Sequence, residues 1–225
     1  AHTSQAVALE DEQVCKLTRD SFRTTTIDNT PVSPKVQELE LELEQIELGG
    51  FSHFMQKEIF EQPAALRNTM RGRLDQTNGR VILGGVGERM RELVKTKRLV
   101  LLGQGTALHA AMIGEYLFEE FSKIPTEVEY ASEFRYRNPI IEEGTAVVAV
   151  SQSGETADTL AAMREAQDRG ATTLGVVNVV GSSIARDTDA GVYLRVGPEI
   201  GVASTKAFTG QVMVLTMLSI LMGRR

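Results

Sequence analysis

From about residue 98 onward, short apolar runs alternate with stretches of helical periodicity, and this alternation leaves the chain few folds to choose from. The runs lie at 99–102, 126–130, 146–150, 173–177 and 192–196. Rich in Val and Leu, they mostly lack the in–out alternation of a strand with one wet face. Strands buried on both faces belong to a parallel sheet covered by helices. The text between them, at 106–121 and 156–168 and again at 203–222, has the period of helices. The expectation is an α/β protein whose main body is one doubly wound domain on a five-stranded parallel sheet.

The preceding third reads differently. Residues 1–30 suggest short strands at 6–9, 13–17 and 22–27, too little to bury a core alone. Residues 29–34, with Pro31 and Pro34, read as a turn or linker. At 36–48, Leu39, Leu41 and Leu43 alternate with Glu40, Glu42 and Glu44 as in a strand. Val36, Leu39, Leu43 and Ile46 fit a helical stripe equally well, so the element type stays open. Residues 51–74 read as two helices broken at Pro63. With 225 residues, the chain has room for one full domain and part of another. It starts at Ala1 and stops at Arg225 just after an apolar helix, which suggests a piece of a longer protein.

Composition removes several classes of function. A net charge of −6 offers no general attraction to nucleic acid or anionic membranes. Cys15, the single cysteine, can form neither an internal disulfide nor a Cys-rich zinc site. His2, His53 and His109 are too scattered for metal-ligand spacing, so neither metal nor cofactor is expected. The most apolar run, at 212–222, is short for a bilayer, and no signal segment opens the chain. A cytoplasmic address is the default expectation.

In a parallel sheet, ligands bind beyond the carboxyl ends of the strands. The first such loop, Gly103-Gln104-Gly105-Thr106-Ala107, permits close main-chain approach and carries one hydroxyl. It reads equally as a tight turn with Thr106 as helix N-cap, and it is not a dinucleotide fingerprint. The third, Ser151-Gln152-Ser153-Gly154-Glu155-Thr156, packs four polar donors into the start of a helix. Helix N-terminal N–H groups and these side chains suit an anion. The loop has no Lys or Arg and lacks the Gly-Lys-Ser/Thr of a P-loop. The fifth, at 197–206, brings Ser204 and Thr205 to a helix start, either as a site or as a structural loop with a solvated Lys206. His109 reads as a packed or surface residue, Glu133, Arg135 and Arg137 as an ion-paired face, and Met213, Met217 and Met222 as core.

Four stretches carry a resemblance: SQSGETADTL at 151–160, EIGVASTKAF at 199–208, ASEFRYR at 131–137 and HFMQKEIFEQP at 53–63. The first resembles the general sugar-isomerase (SIS) signature. Together they are similar to the isomerase half of the glutamine–fructose-6-phosphate aminotransferase family. That resemblance implies a flavodoxin-like αβα sandwich. It divides the chain into the end of a glutaminase domain at 1–30, a helical linker at 31–79 and a first SIS domain at 80–225. Ser151, Gln152, Ser153 and Thr156 would hold the sugar phosphate, with Thr106, the Val202 main chain and Ser204 on the sugar. Ala107 stands where the family has serine, and Gln104 where it usually has cysteine. The implied reaction makes glucosamine 6-phosphate and glutamate from fructose 6-phosphate and glutamine, in hexosamine biosynthesis. Its nucleophilic cysteine and the acid–base groups of the second SIS domain have no counterparts here. The chain is therefore expected to bind fructose 6-phosphate or glucosamine 6-phosphate without catalytic residues of its own, and to pair as a homodimer. The alternative is a non-catalytic SIS sensor of sugar phosphate that regulates a partner protein. A related isomerase or deglycase acting on other amino sugars fits the start of the chain and the 199–208 stretch less well.

Overall fold

The structure is a computed structural model that describes residues 5–34, 36–38 and 47–224, and it separates into two units, Ala1–Glu47 and Leu48–Arg225. In the first unit β1 (Gln5–Val7) pairs antiparallel with β4 (Val36–Glu38), and β2 (Gln13–Leu17) forms a hairpin with β3 (Phe22–Thr26). Thr18 and Ser21 close that hairpin, the Thr18 N–H donating to the Ser21 carbonyl at 2.8 Å. Val14, Leu17, Phe22 and Ile27 are exposed, and Thr24 alone is buried among the unit's described residues. Among the described residues these strands enclose no core of their own. The alternating Leu/Glu stretch, whose type the sequence leaves open, lies at 39–46, outside the described residues.

The second unit opens with α1 (Phe54–Met70), one helix rather than the two expected around Pro63. Proline removes the N–H that would have bonded the carbonyl four residues back. Here that carbonyl belongs to Ile59, and the Gln62 side-chain amide donates to it at 3.0 Å. The helix ends at Met70, and Gly72, at φ +72°, turns the chain into a small hairpin of β5 (Leu74–Asp75) and β6 (Arg80–Val81). Leu74 is thus a strand residue. A 3-10 turn at Gly84–Val86 and the short α2 (Met90–Leu93) follow, too brief for periodicity to reveal.

Five strands then build the main sheet: β7 (Arg98–Gly103), β8 (Thr126–Tyr130), β9 (Thr145–Ser151), β10 (Thr172–Val177) and β11 (Ala190–Tyr193). Their order is β11-β10-β9-β7-β8, every pair parallel, which is the flavodoxin-like order. The fifth strand begins and ends earlier than the apolar run suggests. Arg195, at φ +60°, takes the chain out of extended geometry, although Leu194 and Val196 remain buried beyond the strand end.

Successive side chains of a strand point to opposite faces, and both faces of this sheet are covered. Leu99 and Leu101 of β7, with Ala146, Val148 and Val150 of β9, pack with α3 (Thr106–Ser122) and α7 (Lys206–Gly223). Val100, Leu102 and Val147 pack on the other side with α4 (Ala131–Phe134) and α5 (Ala157–Asp168), while Ala149 and Val177 meet Ile184 of α6 (Ser183–Asp187). As a helix of 18 residues, longer than its most apolar stretch, α7 is long and apolar enough to cross a membrane. In this fold Val214, Leu215, Leu218 and Met222 bury that apolar character against α3 and the sheet.

Gly114 sits mid-helix in α3, where glycine costs about 1 kcal/mol relative to alanine. Its place is set by packing, since a Cβ there would lie 3.0 Å from Leu215 Cδ1 and 3.2 Å from Leu101 Cδ1. Gly114→Val is expected to lower stability by about 1–3 kcal/mol through overpacking. Urea unfolding followed by circular dichroism measures this, and an unchanged midpoint would contradict the packing argument.

Candidate functional site

The strand order reverses between β7, which leads out to β8, and β9, which leads the other way. Loops leaving adjacent strands in opposite directions open a crevice at the carboxyl edge. A cavity of about 190 Å³ lies there. Gln104, Thr106 and Ala107 line it from beyond β7, Val150 to Ser153 and Thr156 from the end of β9 and the loop after it, and Glu199, Gly201, Val202 and Ser204 from beyond β11, with Gln211 of α7. All seven residues singled out from the sequence, Thr106, Ser151, Gln152, Ser153, Thr156, Val202 and Ser204, therefore share one cavity. His109 is exposed and is not in the lining.

The hydroxyl-rich wall is tightly organised. Ser151, the last residue of β9, is 2 % exposed, and its Oγ lies 2.8 Å from Thr156 Oγ1 while accepting the Gly154 N–H at 3.0 Å. Whichever hydroxyl of the pair donates to the other, one proton is left over. Ser153 Oγ accepts the Glu155 N–H at 3.1 Å, so its own proton is also free to donate outward. Gly154 has φ +67°, and a side chain there would collide with Ser182 Oγ. The loop is tied to its neighbour by the Asn178 N–H on the Gln152 carbonyl and the Ile184 N–H on the Gly154 carbonyl, both at 3.0 Å. The Asn178 side chain extends the tie, donating to the Gly197 carbonyl at 2.8 Å and accepting the Val196 N–H.

Helix N-termini around the cavity are treated differently. Thr156 is the N-cap residue of α5, but its side chain makes no capping bond because its hydroxyl is turned to Ser151. At α3 the N-cap is Gly105, so Thr106 is the first helical residue and does not cap. At α7, by contrast, Glu199 Oε1 accepts the N–H groups of Thr205 at 2.9 Å and Ala207 at 3.1 Å. Glu199 is also the one ionisable residue in the lining among the described residues. Two fully buried polar atoms of lining residues, Ser204 Oγ and Gln211 Oε1, have no hydrogen-bond partner among the described residues.

Behind the third wall stands α1. Glu58, 2 % exposed, accepts the Ile200 N–H at 2.6 Å and the Gly201 N–H at 3.1 Å through Oε1. Lys206, expected to be a solvated charge if its loop is merely structural, is instead 4 % exposed and pairs with Glu61 at 2.6 Å. Lys57 approaches the same carboxylate at 3.5 Å. Glu58, Glu61, Glu199 and Gln211 are thus structural or lining residues that sequence reasoning missed. The available signal was local: Glu58 and Glu61 stand three apart on one helix, and Gln211 interrupts an apolar one. Arg135 and Arg137 are ion-paired, with Asp158 and Glu129 rather than with Glu133.

The family model for the SIS domain matches residues 92–221. The chain belongs to the SIS domain family. The match runs through the main sheet and nearly all of α7, so the cavity is the carboxyl-edge crevice of a SIS domain. Glutamine–fructose-6-phosphate aminotransferase (isomerizing) of Chlorobaculum tepidum is 53% identical over 223 residues, covering 99% of this chain and 36% of that protein. The human aminotransferase 2 is 46% identical over 226 residues, with coverage of 98% and 33%. The solved C-terminal domain of the Francisella tularensis enzyme superposes on this SIS-domain chain with a TM-score of 0.74 at 39% identity, covering 79% of this chain and 49% of that one. The chain spans about a third of the length of the curated relatives it matches.

Replacing Glu58 by leucine would leave the Ile200 and Gly201 N–H groups without their acceptor. The expected loss is about 2–4 kcal/mol, with Glu58→Gln costing less than half of that because an acceptor oxygen remains. Equilibrium unfolding of both variants checks the ranking.

Proposed function

We propose that this chain is the sugar-phosphate-binding part of a glutamine–fructose-6-phosphate aminotransferase and takes fructose 6-phosphate or glucosamine 6-phosphate in the cavity. The observation that carries the proposal is the meeting of two unlike loops in one cavity. The loop after β9 offers hydroxyls and the N-terminus of α5 without a side-chain cap, a setting suited to a phosphate dianion. The loop after β11 offers Ser204, whose buried hydroxyl has no partner among the described residues and suits a polyhydroxylated group. Phosphate would be held by Ser151, Gln152, Ser153 and Thr156, and the sugar by Thr106, Ser204 and the main chain of Val202, whose side chain is fully exposed. With Ala107 in place of a hydroxyl, one sugar contact is absent, at a cost of about 0.5–1.5 kcal/mol.

Moving a proton between sugar carbons needs an acid–base group near those carbons. The one ionisable residue in the lining, Glu199, spends Oε1 on two helix N–H groups. The chain therefore binds without turning over, and acid–base groups come from elsewhere in a longer protein. In this reading residues 1–30 end a glutaminase domain, 31–79 form a linker and 80–225 the first SIS domain. The protein acts in the cytoplasm as a homodimer and engages neither nucleic acid nor membrane.

Calorimetric titration is expected to show binding of glucosamine 6-phosphate and fructose 6-phosphate but not of unphosphorylated glucosamine. A Ser153→Ala, Thr156→Ala variant should bind about a hundredfold more weakly, as befits the loss of two hydrogen bonds to a charged group. Phosphate-independent binding would overturn the proposal. Light scattering at micromolar concentration is expected to return twice the chain mass, and a monomer mass would contradict the dimer.

A further inference from the structure

Gln211 is out of character with its helix. It lies in α7 among Val214, Leu215 and Leu218, and it is 1 % exposed. The polar atoms of a buried amide normally each have a hydrogen-bond partner. This one has a fully buried Oε1 with no partner among the described residues. Gln211 is nonetheless part of the cavity lining, as is Ser204, whose hydroxyl is also unpartnered among the described residues.

We infer that Gln211 is a specificity-determining residue that receives a hydroxyl or amino group of the bound sugar. The inference rests on the sugar-phosphate reading of the cavity and adds a recognition contact to it. An unpaired carbonyl oxygen requires a donor. The dianion of a phosphate monoester has none to offer, whereas the sugar it esterifies carries several. A sugar hydroxyl both donates and accepts, so it satisfies a carboxamide in either orientation of its two ends. The residue thereby separates hexose phosphates from inorganic phosphate, which the hydroxyl-rich wall alone would hold.

The test is Gln211→Met, an apolar side chain of similar length, in the 225-residue chain, titrated with fructose 6-phosphate and, separately, with inorganic phosphate. The variant is expected to bind fructose 6-phosphate about three- to tenfold more weakly and inorganic phosphate unchanged. Its melting temperature without ligand should equal or exceed that of the parent, because an unsatisfied buried amide has been removed. Unchanged affinity for fructose 6-phosphate would overturn the inference while leaving the sugar-phosphate reading intact. So would equal weakening of both ligands, the mark of a purely structural role. Failure of the parent chain to bind either ligand would overturn the inference together with that reading. The Ser153→Ala, Thr156→Ala variant separates the cases further, since it should lose both ligands.

Discussion

Everything in the second unit follows from central strands that tolerate water on neither face. Every residue of β9 is buried, and so is every residue of β7 after Arg98. Such strands require a helical layer on each side, and consecutive parallel strands require long crossovers to supply those layers. The crossovers in turn place helix starts at the carboxyl edge of the sheet. The cavity between the loops after β7 and β9 is thus a by-product of burying Val100, Leu101, Val147 and Val148 from both sides.

An anion bound in that geometry would be held without a cation. The lining has no Lys or Arg among the described residues, so oriented N–H groups and hydroxyl dipoles would have to do what a counter-charge does elsewhere. Dipoles of this kind work only if they are already aimed, because turning them toward the ligand would consume the attraction they provide. The Ser151–Thr156 hydroxyl pair and the bonds from Asn178 and Ile184 to the loop carbonyls are the means of aiming. Lys206 and Lys57, the cations nearby in sequence and fold, are held with Glu61 behind the wall.

The loops were legible because their chemistry is written in consecutive residues. Ser151 to Thr156 needs no partner to announce hydroxyls at a helix start, and strand ends followed by glycine mark the carboxyl edge. What stayed hidden depends on partners distant in the chain. Glu58 reveals its role only beside Ile200 and Gly201, more than a hundred residues away. Lys206 looks solvated until Glu61 is placed against it. Pro63 breaks a helix by rule, but a glutamine one residue earlier supplies the lost donor. The early end of β11 comes from one backbone angle at Arg195, which no apolar pattern encodes. The sequence also left Thr106 with two readings, and only the position of Gly105 as N-cap removes the capping one.

Glu199 has a consequence for direction. By occupying the amino end of α7, it closes one of the electropositive corners that the fold would otherwise present to the cavity. Of the three helix starts at the cavity, that of α7 is then already answered by a carboxylate, while those of α3 and α5 have no side-chain cap. An anion would therefore be drawn to the side of the cavity built by the loops after β7 and β9 and not to the start of α7.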